Sequence, residues 1–142
     1  MIKRKSNAVW QGNLKDGKGL VSLGSGTFSG RYSFLSRFEK GVGTNPEELI
    51  AAAHAGCFSM ALSADLSKAG YTVKKIETEA IVSMDKTDSG FAISGIKLVT
   101  KASVKDIDLD TFLKFANGAK QNCPVSKALA AVPVELEAQL VK

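Results

Sequence analysis

One segment constrains this chain more than any other. From Leu49 to Ala64 about sixteen residues run almost without polarity, broken by His54 and bounded by Glu48 and Asp65. The run is preceded by Asn45-Pro46-Glu47-Glu48. That is a helix start: Asn45 caps, Pro46 suits the first helical position, and two acids face the positive end of the dipole. Helix formers continue to Lys68, and Gly70 supplies the stop. The predicted helix is roughly 36 Å long. A helix apolar on nearly every side has to be covered all round, by its own core or by another subunit. The run is short for a bilayer crossing and mostly alanine, so no membrane is expected.

The rest of the chain reads as short strands and smaller helices. Ala8–Gln11 and Leu20–Leu23 are predicted strands, joined by turn chemistry over Asn13–Gly19 with Asp16-Gly17 as its strongest cue. Tyr32–Phe38 reads as a further strand, because Tyr32, Phe34 and Phe38 share one parity and Arg37 takes the other. Val73–Met84 alternates through Ile76, Thr78, Ala80, Val82 and Met84. After a turn at Asp85–Gly90, Phe91–Val104 returns, with its phase slipping at Gly95 as a bulge would make it. Asp108 caps a second helix, Asn122-Cys123-Pro124 ends it and opens a short turn or helix, and Val132–Val141 alternates again. Strands, a long helix, a hairpin, a helix and a strand make an α+β fold. No linker or repeat divides it, so residues 1–142 are expected to form one domain.

Composition excludes more than it selects. In 142 residues there are two cysteines, Cys57 and Cys123, and one histidine. A histidine-rich metal cage and a disulfide framework are both ruled out. The net charge of +5 has no stripe behind it. Lys3-Arg4-Lys5 is the only basic run of three, and nucleic acid is not an expected partner. Met1–Gln11 has a basic start but no apolar run, so it is not a signal peptide. A soluble, cytoplasmic protein is expected, in which a disulfide would be chemical rather than structural.

The cysteines differ in setting. Cys57 lies mid-helix, where a free cysteine is ordinarily a small buried hydrophobe. Cys123 precedes a proline that starts a helical turn, a placement that makes thiols more reactive. Sixty-six residues separate them, so they do not form a C-x-x-C motif.

Longer motifs add a resemblance. Asn45-Pro-Glu-Glu-Leu-Ile-Ala-Ala-Ala-His-Ala-Gly-Cys57-Phe-Ser-Met-Ala-Leu, followed by Asn122-Cys-Pro-Val-Ser126, is similar to the OsmC/Ohr family of bacterial peroxidases. Ala8-Val-Trp-Gln-Gly12 and Ser36-Arg-Phe-Glu39 extend the likeness over nearly the whole chain, and the region before Arg37 resembles the OsmC branch. The resemblance implies antiparallel sheets wrapped around a long central helix, in an intertwined homodimer with active sites at the subunit interface. It implies an enzyme that reduces organic hydroperoxides, and hydrogen peroxide less efficiently, using a lipoyl-type dithiol and no cofactor. By the same resemblance Cys57 is the peroxidatic cysteine and Cys123 the resolving cysteine. Arg37 is the activating arginine, and Glu47 the carboxylate that holds it.

The residue types suit those roles. A thiol in an apolar helix holds little thiolate, and a guanidinium reverses that. Thiolate attack on the O–O bond leaves a sulfenic acid and releases an alcohol. A second thiol condenses with the sulfenic acid, and an external dithiol reduces the disulfide. Glu47 and Cys57 are ten residues apart, or roughly 15 Å along one straight helix. For Arg37 to serve both, either the helix breaks after Glu47 or two subunits share the site. The expected arrangement is the second, with the long helices packed antiparallel.

Other features are weighed as packing first. His54 shares a helix face with Cys57 and is either a packed interface histidine, a base for the thiol, or a metal ligand with both cysteines. Gly41-x-Gly43 lacks the residues of a phosphate loop and reads as a flexible loop beside the site. Phe58 and Met60 are expected in the core or in a pocket wall, Trp10 in packing, and Glu48 as a solvated capping acid. A thiol–disulfide exchange protein or redox sensor is the alternative to a peroxidase, and a metal- or ligand-binding domain is the third reading.

Overall fold

The computed structural model describes all residues, Met1–Lys142. They form two compact units, Met1–Leu49 and Ile50–Lys142.

The first unit is a small antiparallel sheet with one short helix. Strands β1 (Ser6–Gln11), β2 (Lys18–Leu23) and β3 (Ser29–Tyr32) pair in chain order. The β1–β2 turn follows its chemistry, with the Asp16 amide donating to Asn13 Oδ1 at 2.7 Å. The strand expected over Tyr32–Phe38 is corrected. Extension ends at Tyr32, and Phe34–Phe38 is a short helix, α1. A capping box causes this: the Ser36 amide donates to Ser33 Oγ at 3.1 Å, and the Ser33 amide donates to Ser36 Oγ at 2.8 Å. Arg37 and Phe38 are therefore neighbours on a helical turn rather than opposite faces of a strand. The glycine loop that follows is tied down. The Thr44 amide donates to Arg31 O at 2.8 Å, and the Gly41 amide to Leu35 O at 3.0 Å. Gly43 has φ +129°, and a Cβ there would stand 2.6 Å from the Arg31 carbonyl oxygen, so only glycine fits.

Helix α2, Pro46–Lys68, follows its sequence signals closely. The Glu48 amide donates to Asn45 Oδ1 at 2.8 Å, and Gly70 ends the helix at φ +94°. Its sides are not alike. His54, Phe58, Leu62 and Leu66, spaced by four, are fully buried. Ala52, Ala53, Gly56, Met60 and Ala64 are exposed. Met60, expected in a core or pocket wall, is 76% exposed because it lies on this second face. By length and composition α2 could cross a membrane, but its buried stripe packs into a protein core.

In the second unit β4 (Val73–Thr87) and β5 (Gly90–Val104) form a long hairpin, tighter than expected because both strands extend into the turn. The bulge is present: Ser83 pairs Gly95 and Met84 pairs Ile93, leaving Ser94 extra. Helices α3 (Leu109–Asn122) and α4 (Pro124–Ala128) cross over to β6 (Val134–Leu140). The sheet order is β4-β5-β6, and β6 runs parallel to β5, which makes this sheet mixed. Parallel pairing needs such a crossover, and α3 with α4 provides it. Ile96, Leu98 and Ala102 of β5 join Phe58, Leu62, Leu66, Phe112, Ala116 and Ala119 in one core. Burying a side chain the size of Phe58 or Leu62 contributes about 1.5–3 kcal/mol each. A polar seam crosses this core: Ser59 Oγ donates to Thr78 Oγ1 at 2.7 Å, which bonds Thr100 Oγ1 at 3.0 Å.

Candidate active site

The structure brings the four predicted site residues together as two separate pairs, one in each unit.

In Met1–Leu49, α1 presents Arg37 from its last turn and α2 presents Glu47 from its first. Arg37 Nη2 donates to Glu47 Oε1 at 2.8 Å, and Nε spans both carboxylate oxygens at 3.2 and 3.3 Å. Glu47 is buried, and its side chain is 12% exposed against 36% for Arg37. A buried carboxylate needs such a forked partner, and the fork fixes the guanidinium plane. The Phe38 ring lies 5.2 Å from Arg37 Cζ and adds a cation–π contact. Nη1 donates to no protein atom. Arg37 also lines a recess of about 220 Å³ with Trp10, Leu14, Tyr32, Ser33, Phe34 and Phe38. Trp10 packs there as expected, with its ring centroid 5.3 Å from that of Tyr32. Glu48 accepts a hydrogen bond from Thr44 Oγ1 at 2.7 Å and leaves the arginine to Glu47.

In Ile50–Lys142, α2 carries Cys57 and the α3–α4 corner carries Cys123. Both are free thiols, Cys57 half-buried and Cys123 fully buried. The two sulfurs are neighbours. Burial pushes the Cys57 thiol above its ordinary range, a hydrogen bond from the Val125 backbone opposes this, and the Cys123 sulfur pushes it further up. At neutral pH an isolated Cys57 in this setting is a thiol, and a nearby positive charge is what would make it a thiolate. Cys123 caps α4: the Ser126 amide donates to its Sγ at 3.3 Å, and its thiol donates to Ser126 Oγ at 3.0 Å. Ser126 Oγ in turn bonds His54 Nε2 at 2.7 Å.

His54 is fully buried, with Nδ1 unpartnered, and burial lowers its pKa so that the ring is neutral. Ser126 carried no assigned role in the sequence. Its three-residue offset from a helix-capping Cys123 was the available signal, whereas its contact with His54 joins residues 72 apart and left none. No cluster of three or more histidine, cysteine or acidic side chains is placed to hold a metal ion.

The chain is similar to known proteins in sequence and in fold. Residues 39–137 match the family model described as OsmC-like protein. The chain is 51% identical over 140 residues to peroxiredoxin OsmC of Escherichia coli K12, covering 98% of this chain and 97% of that protein. It is 38% identical over 97 residues to the organic hydroperoxide resistance protein OhrB of Bacillus subtilis, covering 67% and 69% of the two chains. The crystal structure of that OhrB superposes with a TM-score of 0.73 at 28% identity, covering 96% of this chain and 98% of the other. With the family model spanning most of its length, and half its residues shared with a full-length relative, the chain belongs to the OsmC family.

Proposed function

We propose that this protein is a cysteine-based peroxidase that reduces organic hydroperoxides to alcohols. The observation that carries the reading is the pair of free, neighbouring thiols Cys57 and Cys123 in an apolar setting. Relatives named as a peroxiredoxin and as an organic hydroperoxide resistance protein support the same class.

In the proposed cycle the Cys57 thiolate attacks the distal peroxide oxygen, the O–O bond breaks and the alcohol leaves. Cys57 is then a sulfenic acid. Cys123 displaces its oxygen as water and closes a Cys57–Cys123 disulfide, which an external lipoyl-type dithiol reduces by exchange. Arg37, held by Glu47, stabilises the thiolate and the developing alkoxide. Cys57 packs against the apolar core, with Val125 and Cys123 beside its thiol, and this setting favours an alkyl hydroperoxide over hydrogen peroxide.

The working form is a homodimer. Pro46–Lys68 is one unbroken helix, so Glu47 and Cys57 stand about 15 Å apart along its axis. An Arg37 that grips Glu47 of its own chain serves the Cys57 of a second chain. The exposed face Ala52, Ala53, Gly56, Met60 and Ala64 is small and apolar, suited to close approach of a partner helix. The protein is one OsmC-like domain, soluble and cytoplasmic.

A coupled assay tests the activity, with a lipoyl dithiol as reductant and cumene hydroperoxide or hydrogen peroxide as oxidant. The expected result is turnover of both with the organic peroxide faster. Equal rates would overturn the substrate preference, and no turnover of either would overturn the peroxidase. A fully active monomer on a sizing column would overturn the shared site.

A further inference from the structure

The His54–Ser126–Cys123 chain has no part in the cycle described so far. Every atom along it is buried, and its bond directions are consistent. The Cys123 thiol donates to Ser126 Oγ, so the one hydroxyl hydrogen of Ser126 is left to point at His54 Nε2. That makes Nε2 an acceptor and puts the ring hydrogen on Nδ1, the buried atom with no partner. His54 Nε2 is committed to Ser126 and makes no bond to Cys57.

Resting on the peroxidase reading, we propose that His54, acting through the Ser126 hydroxyl, takes the proton of Cys123 when Cys123 attacks the Cys57 sulfenic acid. Cys123 Sγ forms a bond to Cys57 Sγ, and the S–O bond of the sulfenic acid breaks. The Cys123 proton passes to Ser126 Oγ while the Ser126 proton passes to His54 Nε2. The departing hydroxide takes a proton from solvent and leaves as water. When the dithiol later reduces the disulfide, the relay runs backward and the imidazolium reprotonates Cys123. The two dithiol protons then account for the thiol on Cys57 and the one returned to solvent, so the cycle balances. His54 and Ser126 are positioning residues for resolution, with no part in peroxide attack.

The two half-steps can be timed apart. Single-turnover mixing of the reduced protein with cumene hydroperoxide gives sulfenic acid formation, read by a dimedone-type trap. Loss of the second free thiol, that of Cys123, then gives disulfide closure. In Ser126→Ala and His54→Asn, formation is expected within about twofold of the parent, while closure slows by roughly tenfold or more. The double variant should be no slower than the worse single one, since both break one relay. Ser126→Thr, which keeps a hydroxyl, should recover closure. Unchanged closure in Ser126→Ala, or formation and closure slowed alike with no recovery in Ser126→Thr, would overturn the relay. Absence of sulfenic acid in the parent protein would overturn the peroxidase reading instead.

Discussion

Each of the two units of this chain is stabilised internally by different physics. In Met1–Leu49 the buried residues are Ser36, Thr44 and Glu47, all polar, while Val9, Leu14, Leu20, Leu23, Phe28 and Leu35 are exposed. In Ile50–Lys142 ten apolar residues are buried in one cluster. The first unit is organised by a capping box, a tied loop and a forked ion pair. The second is organised by packing. Each pair of site residues matches its surroundings. The guanidinium keeps partial access to water, and its fork compensates the buried carboxylate. Thiols tolerate apolar surroundings, and a neutral histidine joins them through a hydroxyl. The contrast also says what the first unit lacks: a sheet with no buried apolar residue is not expected to be stable alone.

The sharpest way to break the comparison is at sulfur. Cys57→Ser is expected to lower peroxide turnover by about 10³-fold or more, since it removes the nucleophile. Cys123→Ser should still form a trappable sulfenic acid and should form no intramolecular disulfide. Peroxide turnover retained in Cys57→Ser would end the peroxidase reading.

Stability separates the units next. Leu62→Ala empties a fully buried site and should cost about 2–5 kcal/mol in urea unfolding. Leu20→Ala, at a residue 43% exposed in β2, should cost under about 1 kcal/mol. If Leu20→Ala costs as much as Leu62→Ala, the first sheet is covered in the working assembly, which would sharpen the dimer proposal.

Charge comes third. Arg37→Ala should slow peroxide attack by about 10²-fold, on the scale of losing one aimed donor. The Cys57 thiolate titration should move upward, with the far-ultraviolet circular dichroism unchanged. The substitution also leaves the buried Glu47 carboxylate without its partner, so the midpoint of urea unfolding should fall. An unmoved thiolate titration would separate the ion pair from the sulfur chemistry.

The smallest effect is a pH dependence of folding. The native pKa of His54 is lowered by burial from 6.5. Between that native value and 6.5 the unfolded chain binds more protons than the native one, so stability rises with pH there. Acidification through 6.5 should therefore destabilise the protein, with the loss complete below the native pKa. His54→Gln should flatten that part of a denaturation-midpoint profile. An identical profile in the variant would place the sensitivity elsewhere.

Legibility followed the range of the interactions. Helix α2 was readable because Asn45, Pro46, Glu47, Glu48 and Gly70 act within a turn of themselves. The Ser94 bulge left a phase slip beside Gly95. The region after Tyr32 was misread because Tyr32, Phe34 and Phe38 fit a strand, while the deciding capping box uses two serines rather than the more recognisable serine and glutamate. Which face of α2 Met60 takes was not legible, because an all-apolar helix does not announce which side is covered.

Local signals along the chain were enough for the α+β class, the bounds of the long helix and the residue types of a two-cysteine site. Local caps, period-two strands and the scarcity of histidine and cysteine were sufficient for that. The tertiary structure decided which groups meet. It joined Arg37 to Glu47 through a helical turn that strand parity had denied. It set the Cys57 and Cys123 thiols side by side, and it closed His54 onto Ser126 across 72 residues. Such contacts depend on the packing of α2 and α4 in one core, and no local propensity encodes them.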